Sequence, residues 1–142
     1  MKLLTSDIKA RLLDNGRKQE EAFGAEDELE FFPVVKLFTP DAACTWLLTE
    51  LDPEDPDIAF GLCDLGMQCP ELGSVRISEL EAVRGRVGLP VERDRYFTAT
   101  HSLITYTRAA QRAGCITEDR EALEDAAADL AHEAALNREE LA

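Results

Sequence analysis

Three short apolar runs separated by proline-bearing turns constrain this chain more than any other feature. FPVVKLF (32–38), Ala43–Leu51 and IAFGLC (58–63) alternate with a period of two. That is the period of an extended strand, whose successive side chains point to opposite faces. Val35 and Leu37 share one face of the first run, and Val34, Lys36 and Phe38 the other. In the second, Cys44, Trp46 and Leu48 share a face, opposed by Thr45, Leu47 and Thr49. Ile58, Phe60 and Leu62 line one face of the third. The connections Thr39–Ala42 and Asp52–Asp57 are too short for a crossover, so successive strands must be antiparallel neighbours. A fourth strand, Leu72–Ile77, follows a looser loop from Asp64 to Gly73. The expected sheet is a four-stranded antiparallel meander.

Helical signals flank it. Thr5 or Ser6 caps a first helix, Ser6–Asp14, in which Ile8, Leu12 and Leu13 follow helical spacing. Asn15-Gly16 reads as its stop, glycine taking the left-handed position after a helix. Residues 17–30 are densely charged with little apolar periodicity, as in a solvated connector. Ser78-Glu79-Leu80-Glu81 has the form of a capping box opening a short helix from about Glu79 to Arg84, with Gly85 ending it. Val91–Phe97 leads away extended or in a tight bend. A helix from His101 to Ala113 carries Leu103, Ile104, Thr107 and Ala110 on one stripe and stops at Gly114. Thr117 then caps a last helix, from Glu118 to about Glu140. Its stripe of Leu123, Ala126, Ala127, Leu130 and Ala134 has high helix propensity and little area to bury. The class is α+β: one domain over 1–142, with a four-stranded meander, an N-terminal helix, a short capped helix and C-terminal helices. Residues 117–142 are expected to be peripheral.

Charge narrows the functions. Asp and Glu number 29 against 15 Lys and Arg, a formal net charge of −14. Such acidity repels nucleic-acid phosphate, which disfavours duplex DNA as a partner, and it favours a basic protein. A single-strand DNA binder is disfavoured by the same charge and by the single Trp. Against this background Arg76–Arg95 is an arginine-only island, with five Arg against four acids. With 45% apolar and 31% charged residues the chain is globular. No run of apolar residues is long enough to span a membrane. The opening MKLLTSDIKA is too mixed for a signal peptide, so a cytoplasmic location and four reduced thiols are expected.

Catalytic signatures are missing from the sequence. There is no phosphate-binding glycine loop, no GxSxG and no HExxH. The cysteines form no CxxC and the two histidines no HxxxH, so neither zinc nor another cofactor is expected. Glu50, Asp52, Asp55 and Asp57 offer the oxygen donors a hard cation takes, but DPEDPD lacks the DxDxDG loop and reads as an acidic turn. Glu92-Arg93-Asp94-Arg95 alternates in charge. It reads as a structural ion-pair knot in preference to an arginine aimed into a cleft for anion recognition.

Several stretches resemble a bacterial family of unknown function, DUF2958. They are Leu3-Leu4-Thr5, Val35–Pro40, Trp46 with Thr49–Asp52, Phe60-Gly61-Leu62, Glu71-Leu72-Gly73, Ser78–Glu81, and Gly88–Asp94 with Tyr96-Phe97. They span residues 3–97, and the helical tail from 100 lies outside them. The resemblance implies a small cytoplasmic protein carried on plasmids and other mobile elements, and it assigns no catalytic residue. The leading expectation is a non-enzymatic interaction protein that engages a basic protein partner, with self-association through the last helix. The alternative is an enzyme or small-ligand binder with a cleft near Glu50, Asp52, Glu71, Arg93 and Asp94.

Overall fold

A computed structural model describes residues 3–22 and 30–141. The chain is α+β. Helix α1 (Ser6–Ala22) precedes strands β1 (Val35–Phe38), β2 (Thr45–Leu51), β3 (Ile58–Asp64) and β4 (Glu71–Arg76). Helix α2 (Ile77–Ala82), strand β5 (Glu92–Arg93) and helices α3 (Leu103–Ala113) and α4 (Arg120–Leu141) follow. The sheet is antiparallel, in the order β4-β3-β2-β1-β5. The expected meander is therefore present, with a fifth strand added. Glu92 and Arg93 pair with Phe38 and Leu37. A two-residue strand carries too little alternation to be recognised from sequence, and its partner strand lies over fifty positions away.

Helices cover both faces. One core holds Val35, Leu37, Trp46, Leu48 and Leu51 of the sheet under Leu12 of α1, with Ile77 and Leu80 of α2. The other holds Leu47 and Leu62 under Leu103, Tyr106, Ala109 and Ala110 of α3 and Leu123 and Ala126 of α4. The strict alternation of Trp46, Leu47 and Leu48 feeds the two cores in turn.

The first helix does not stop at Asn15-Gly16, and runs on to Ala22. Residues 17–22 of the expected connector are helical, and 23–29 lie outside the described residues. The reason is a defect in β2. Its register against β3 shifts between Leu48 and Glu50, leaving Thr49 as the extra residue of a bulge. The Thr49 carbonyl accepts a hydrogen bond from Asn15 Nδ2 at 2.8 Å. Gly16 sits so close that a Cβ there would fall 1.9 Å from the Leu51 carbonyl oxygen. Asparagine and glycine here serve a helix–strand contact, which overrides their local turn preference.

Two other local signals are resolved differently by the tertiary structure. Ser78 is not the N-cap of α2. Arg76 holds that position without a side-chain cap. The Ser78 N–H and Oγ both donate to the Asp57 carboxylate, at 2.9 and 2.6 Å, so the β2–β3 turn holds the helix start. These hydrogen bonds from Ser78, aided by Arg76, hold the Asp57 carboxyl below its ordinary range. Asp57→Ala should therefore lower the urea midpoint more than Ser78→Ala, while Glu81→Ala leaves it unchanged. A folded-state pKa below the unfolded one stabilises at pH above the unfolded value of 3.8 and is lost as pH falls through the folded value. The Asp57→Ala difference should thus vanish in strongly acid melts.

In α3, Leu103, Thr107 and Ala110 of the expected stripe are buried, and Ile104 is its one exception. Ile104 is 41% exposed, and Tyr106 takes the core place. The Tyr106 hydroxyl accepts the Thr100 N–H at 3.1 Å, which satisfies a polar tip that would otherwise disfavour burial. Gly114 ends α3 as expected, in the left-handed conformation with φ 80°. Asp119, in place of Thr117, caps α4 through the Ala122 N–H at 3.0 Å.

Candidate functional site

The structure distributes the five expected site residues over three places. Arg93 and Asp94 line a cleft beside β5, with Arg84, Arg95 and Tyr96. Glu50 and Asp52 line a separate groove with Gln19, Glu20, Glu54 and Phe60. Glu71 lies exposed at the start of the edge strand β4, opposite Cys63 and in neither cavity.

The groove is built by the bulge. Simple alternation from Trp46 and Leu48 would turn the Glu50 side chain into the first core. The extra residue at Thr49 inverts the alternation, so Leu51 is buried there and Glu50 is left half-buried opposite Phe60. Glu50, Phe60 and Ser74 then form one row across β2, β3 and β4. The second half of α1, held by Asn15 and Gly16, supplies Gln19 and Glu20. The space has a volume of about 640 Å³, with Pro53, Ile58 and Phe60 as apolar walls. Carboxylate oxygens of Glu20, Asp52 and Glu54 converge to within 4.8 Å of one another. Glu20, Glu50, Asp52 and Glu54 make no salt bridge among the described residues, although Asp52 Oδ1 accepts the Glu54 N–H at 2.9 Å. Three carboxylates on this rim fall short of the six to eight or so oxygens that calcium takes. Their nearness concentrates negative potential instead.

Desolvation raises the Glu50 carboxyl above its ordinary value, against a weaker opposing hydrogen bond from Thr49. With a higher pKa in the folded state, the native protein binds more protons there than the unfolded chain as pH rises past about 4.5, so ionisation of Glu50 works against folding. Glu50→Gln should therefore raise the thermal midpoint at pH 7, and the gain should disappear below pH ~4, where Glu50 is protonated in both states. A destabilised Gln variant at neutral pH would show that Glu50 makes a structural contact.

The arginine cleft is built by two loops and β5. Asp41, in the β1–β2 turn, accepts the Val87 and Leu89 N–H groups at 2.7 and 3.3 Å and so fixes the segment between α2 and β5. Desolvation opposes its charge, but these N–H groups outweigh it and hold the carboxyl below its ordinary range. The register of β5 places Arg93 against Leu37 and Glu92 against Phe38, on opposite faces. That alternation is why Glu92-Arg93-Asp94-Arg95 does not close into the expected ion-pair knot. Arg93 Nη1 donates to the Leu3 carbonyl at 2.5 Å, while Asp94 lies 3.8 Å from Lys36. The clefts's volume is about 760 Å³.

Other reactive groups have structural settings. All four cysteines are free. Burial pushes the Cys63 thiol up, away from a nucleophilic thiolate. Asp64, buried at the end of β3, accepts the Gly66 and Ile116 N–H groups, both at 2.9 Å, and ties the sheet to the α3–α4 connection. The roles of Asn15, Asp41 and Asp64 were missed in the sequence because their partners lie 34 to 52 positions away. Among the described residues no helix is long and apolar enough to cross a membrane.

An antiparallel sheet between helical layers, with an acidic groove and an arginine-lined cleft among its described residues, makes this a small α+β protein. A family model described as "Protein of unknown function (DUF2958)" matches residues 3–117, and the chain belongs to that family. The match extends past the motif-bearing stretch through α3 and stops before α4. No curated protein and no solved structure matches the chain.

Proposed function

We propose that the chain is a non-enzymatic interaction protein, of a plasmid or other mobile element, that engages a basic protein partner through the groove at Glu50. The supporting observation is the set of four carboxylates on an apolar floor, without a basic side chain among the groove's described lining. A lysine or arginine side chain matches such a site in both parts. Its aliphatic stem covers Phe60 and Ile58 while its charged head meets the carboxylates. Holding Glu50 half-buried works against folding, and a cationic partner relieves that strain by replacing lost solvation. Under this reading the net charge of −14 steers the encounter and the groove holds the partner.

The test is titration with a short all-arginine peptide at physiological salt. The double variant Glu50→Gln, Asp52→Asn should weaken binding about tenfold, or ~1.4 kcal/mol. A control with the same charge loss on α4, Glu139→Gln with Glu140→Gln, should leave it nearly unchanged. Equal weakening by both would reduce the interaction to bulk charge and remove the groove from it.

A further inference from the structure

We propose that the cleft beside β5 is a second and independent site, which binds a small planar organic anion: a ring bearing one phosphate or carboxylate. Three arginines, Arg84, Arg93 and Arg95, line it. None lies within 4.0 Å of a carboxylate among the described residues, in a chain with nearly twice as many acids as bases. Of the eight arginines elsewhere, four have acidic partners: Arg76, Arg108, Arg112 and Arg120. Arg84 and Arg93 are anchored instead by backbone carbonyls. Arg84 Nη1 donates to Glu81 and Val83 at 2.9 and 2.8 Å, and Arg93 Nη1 to Leu3 at 2.5 Å. A carbonyl orients a guanidinium without neutralising it, and each of these groups keeps further N–H donors for a ligand oxyanion. Such anchoring before binding reduces the ordering entropy that a ligand must overcome.

The cleft's acidic residues are arranged compatibly. Asp94 is already engaged, its Oδ1 by the Tyr96 N–H at 2.9 Å and its Oδ2 by Lys36. Glu81 and Glu92 also line the cleft, so with Asp94 three acidic residues are set among its three arginines. The site is thus close to neutral within a strongly acidic protein. That selects a ligand with one oxyanion and rejects a polyanion, which the overall charge would repel.

Tyr96 supplies the case for a planar ligand. Its side chain is 95% exposed, although its backbone is fixed by the Asp94 turn. Tyr96 lines the cleft together with Phe38, Val91 and Leu3, and an exposed aromatic ring there can stack on a planar ligand. The volume of about 760 Å³ lies within the usual span of small-molecule sites.

Calorimetric titration of the full chain with adenosine monophosphate and with indole-3-acetate separates the phosphate and carboxylate sources. Adenosine and inorganic phosphate serve as controls lacking one half of the chemistry. At least one ring-bearing anion should bind saturably, about tenfold or more tighter than either control. Arg95→Gln and Tyr96→Ala, both exposed and without side-chain hydrogen bonds among the described residues, should each weaken it about tenfold. Arg93→Lys should weaken it too, while Glu50→Gln leaves it unchanged, which separates this site from the groove. Absence of saturable binding of either ring anion up to about 5 mM overturns the proposal. So does equal binding of inorganic phosphate, or binding indifferent to both Arg95→Gln and Tyr96→Ala.

Discussion

Gly16→Ala should destabilise the fold by about 2–4 kcal/mol, although the same change in a free helix stabilises it by about 1 kcal/mol. The added Cβ would fall 1.9 Å from the Leu51 carbonyl oxygen and 3.3 Å from Pro53 Cδ. The carbonyl belongs to a paired central strand, so the helix has to move. Moving it also breaks the Asn15 hydrogen bond to the Thr49 carbonyl. Asn15→Ala alone should cost about 1–2 kcal/mol, since it leaves a part-buried bulge carbonyl unpaired. The two changes should be less than additive, because both act on one contact. Urea melts of the three variants measure this. A stabilised Gly16→Ala protein would mean that α1 does not seat on β2 through this pair.

Ending the chain at Cys115 should abolish cooperative unfolding, whereas ending it at Leu130 should preserve it. Leu123 and Ala126 are buried to 1% and 0% exposure over Leu47, Leu62 and Tyr106. Losing Leu123 alone is worth about 2–5 kcal/mol by the usual large-to-small scale, a large part of a small domain's total. Beyond Leu130 the helix carries Leu136 and Leu141 exposed, and its ties to α3 there are the surface pair Arg108–Glu133 at 2.8 Å and little else. Exposed pairs of this kind are screened by solvent and add little to stability. We therefore propose that the peripheral part of the tail begins after Leu130. Near-ultraviolet circular dichroism and denaturant melts of the two truncations decide it. Sedimentation of the full chain against the Leu130-ended one also tests whether the outer part of α4 joins two copies. A cooperative melt from the Cys115-ended chain would show that the second core closes without α4.

The two concavities differ in what they ask of the fold. The groove depends on a bulge that turns one glutamate out of the core. The cleft depends on a loop that Asp41 holds in place across the sheet edge. Asp41→Ala should accordingly weaken ligand binding at the cleft while sparing peptide binding at the groove. This is a readout that general destabilisation would not produce.

Period-two alternation was enough to place β1 to β3 and to sort Trp46, Leu47 and Leu48 onto their faces, because side-chain direction in a strand is set by the backbone itself. The proline turns were enough to make those strands antiparallel, because their length leaves no alternative. Gly114 was recognisable as a helix stop because its left-handed conformation is a local property. Tertiary contact decided the rest. Asn15-Gly16 carries the same local preference as a helix end, but the free carbonyl of the Thr49 bulge and the close approach to Leu51 outweigh it. Ser78 has a capping-box spacing, yet a carboxylate from a distant turn takes its hydrogen bonds. Glu50 and Arg93 were identifiable as candidates by type, but not as members of separate sites. Their separation follows from a one-residue bulge and a two-residue strand pairing, and both are fixed by partners dozens of positions away in the chain.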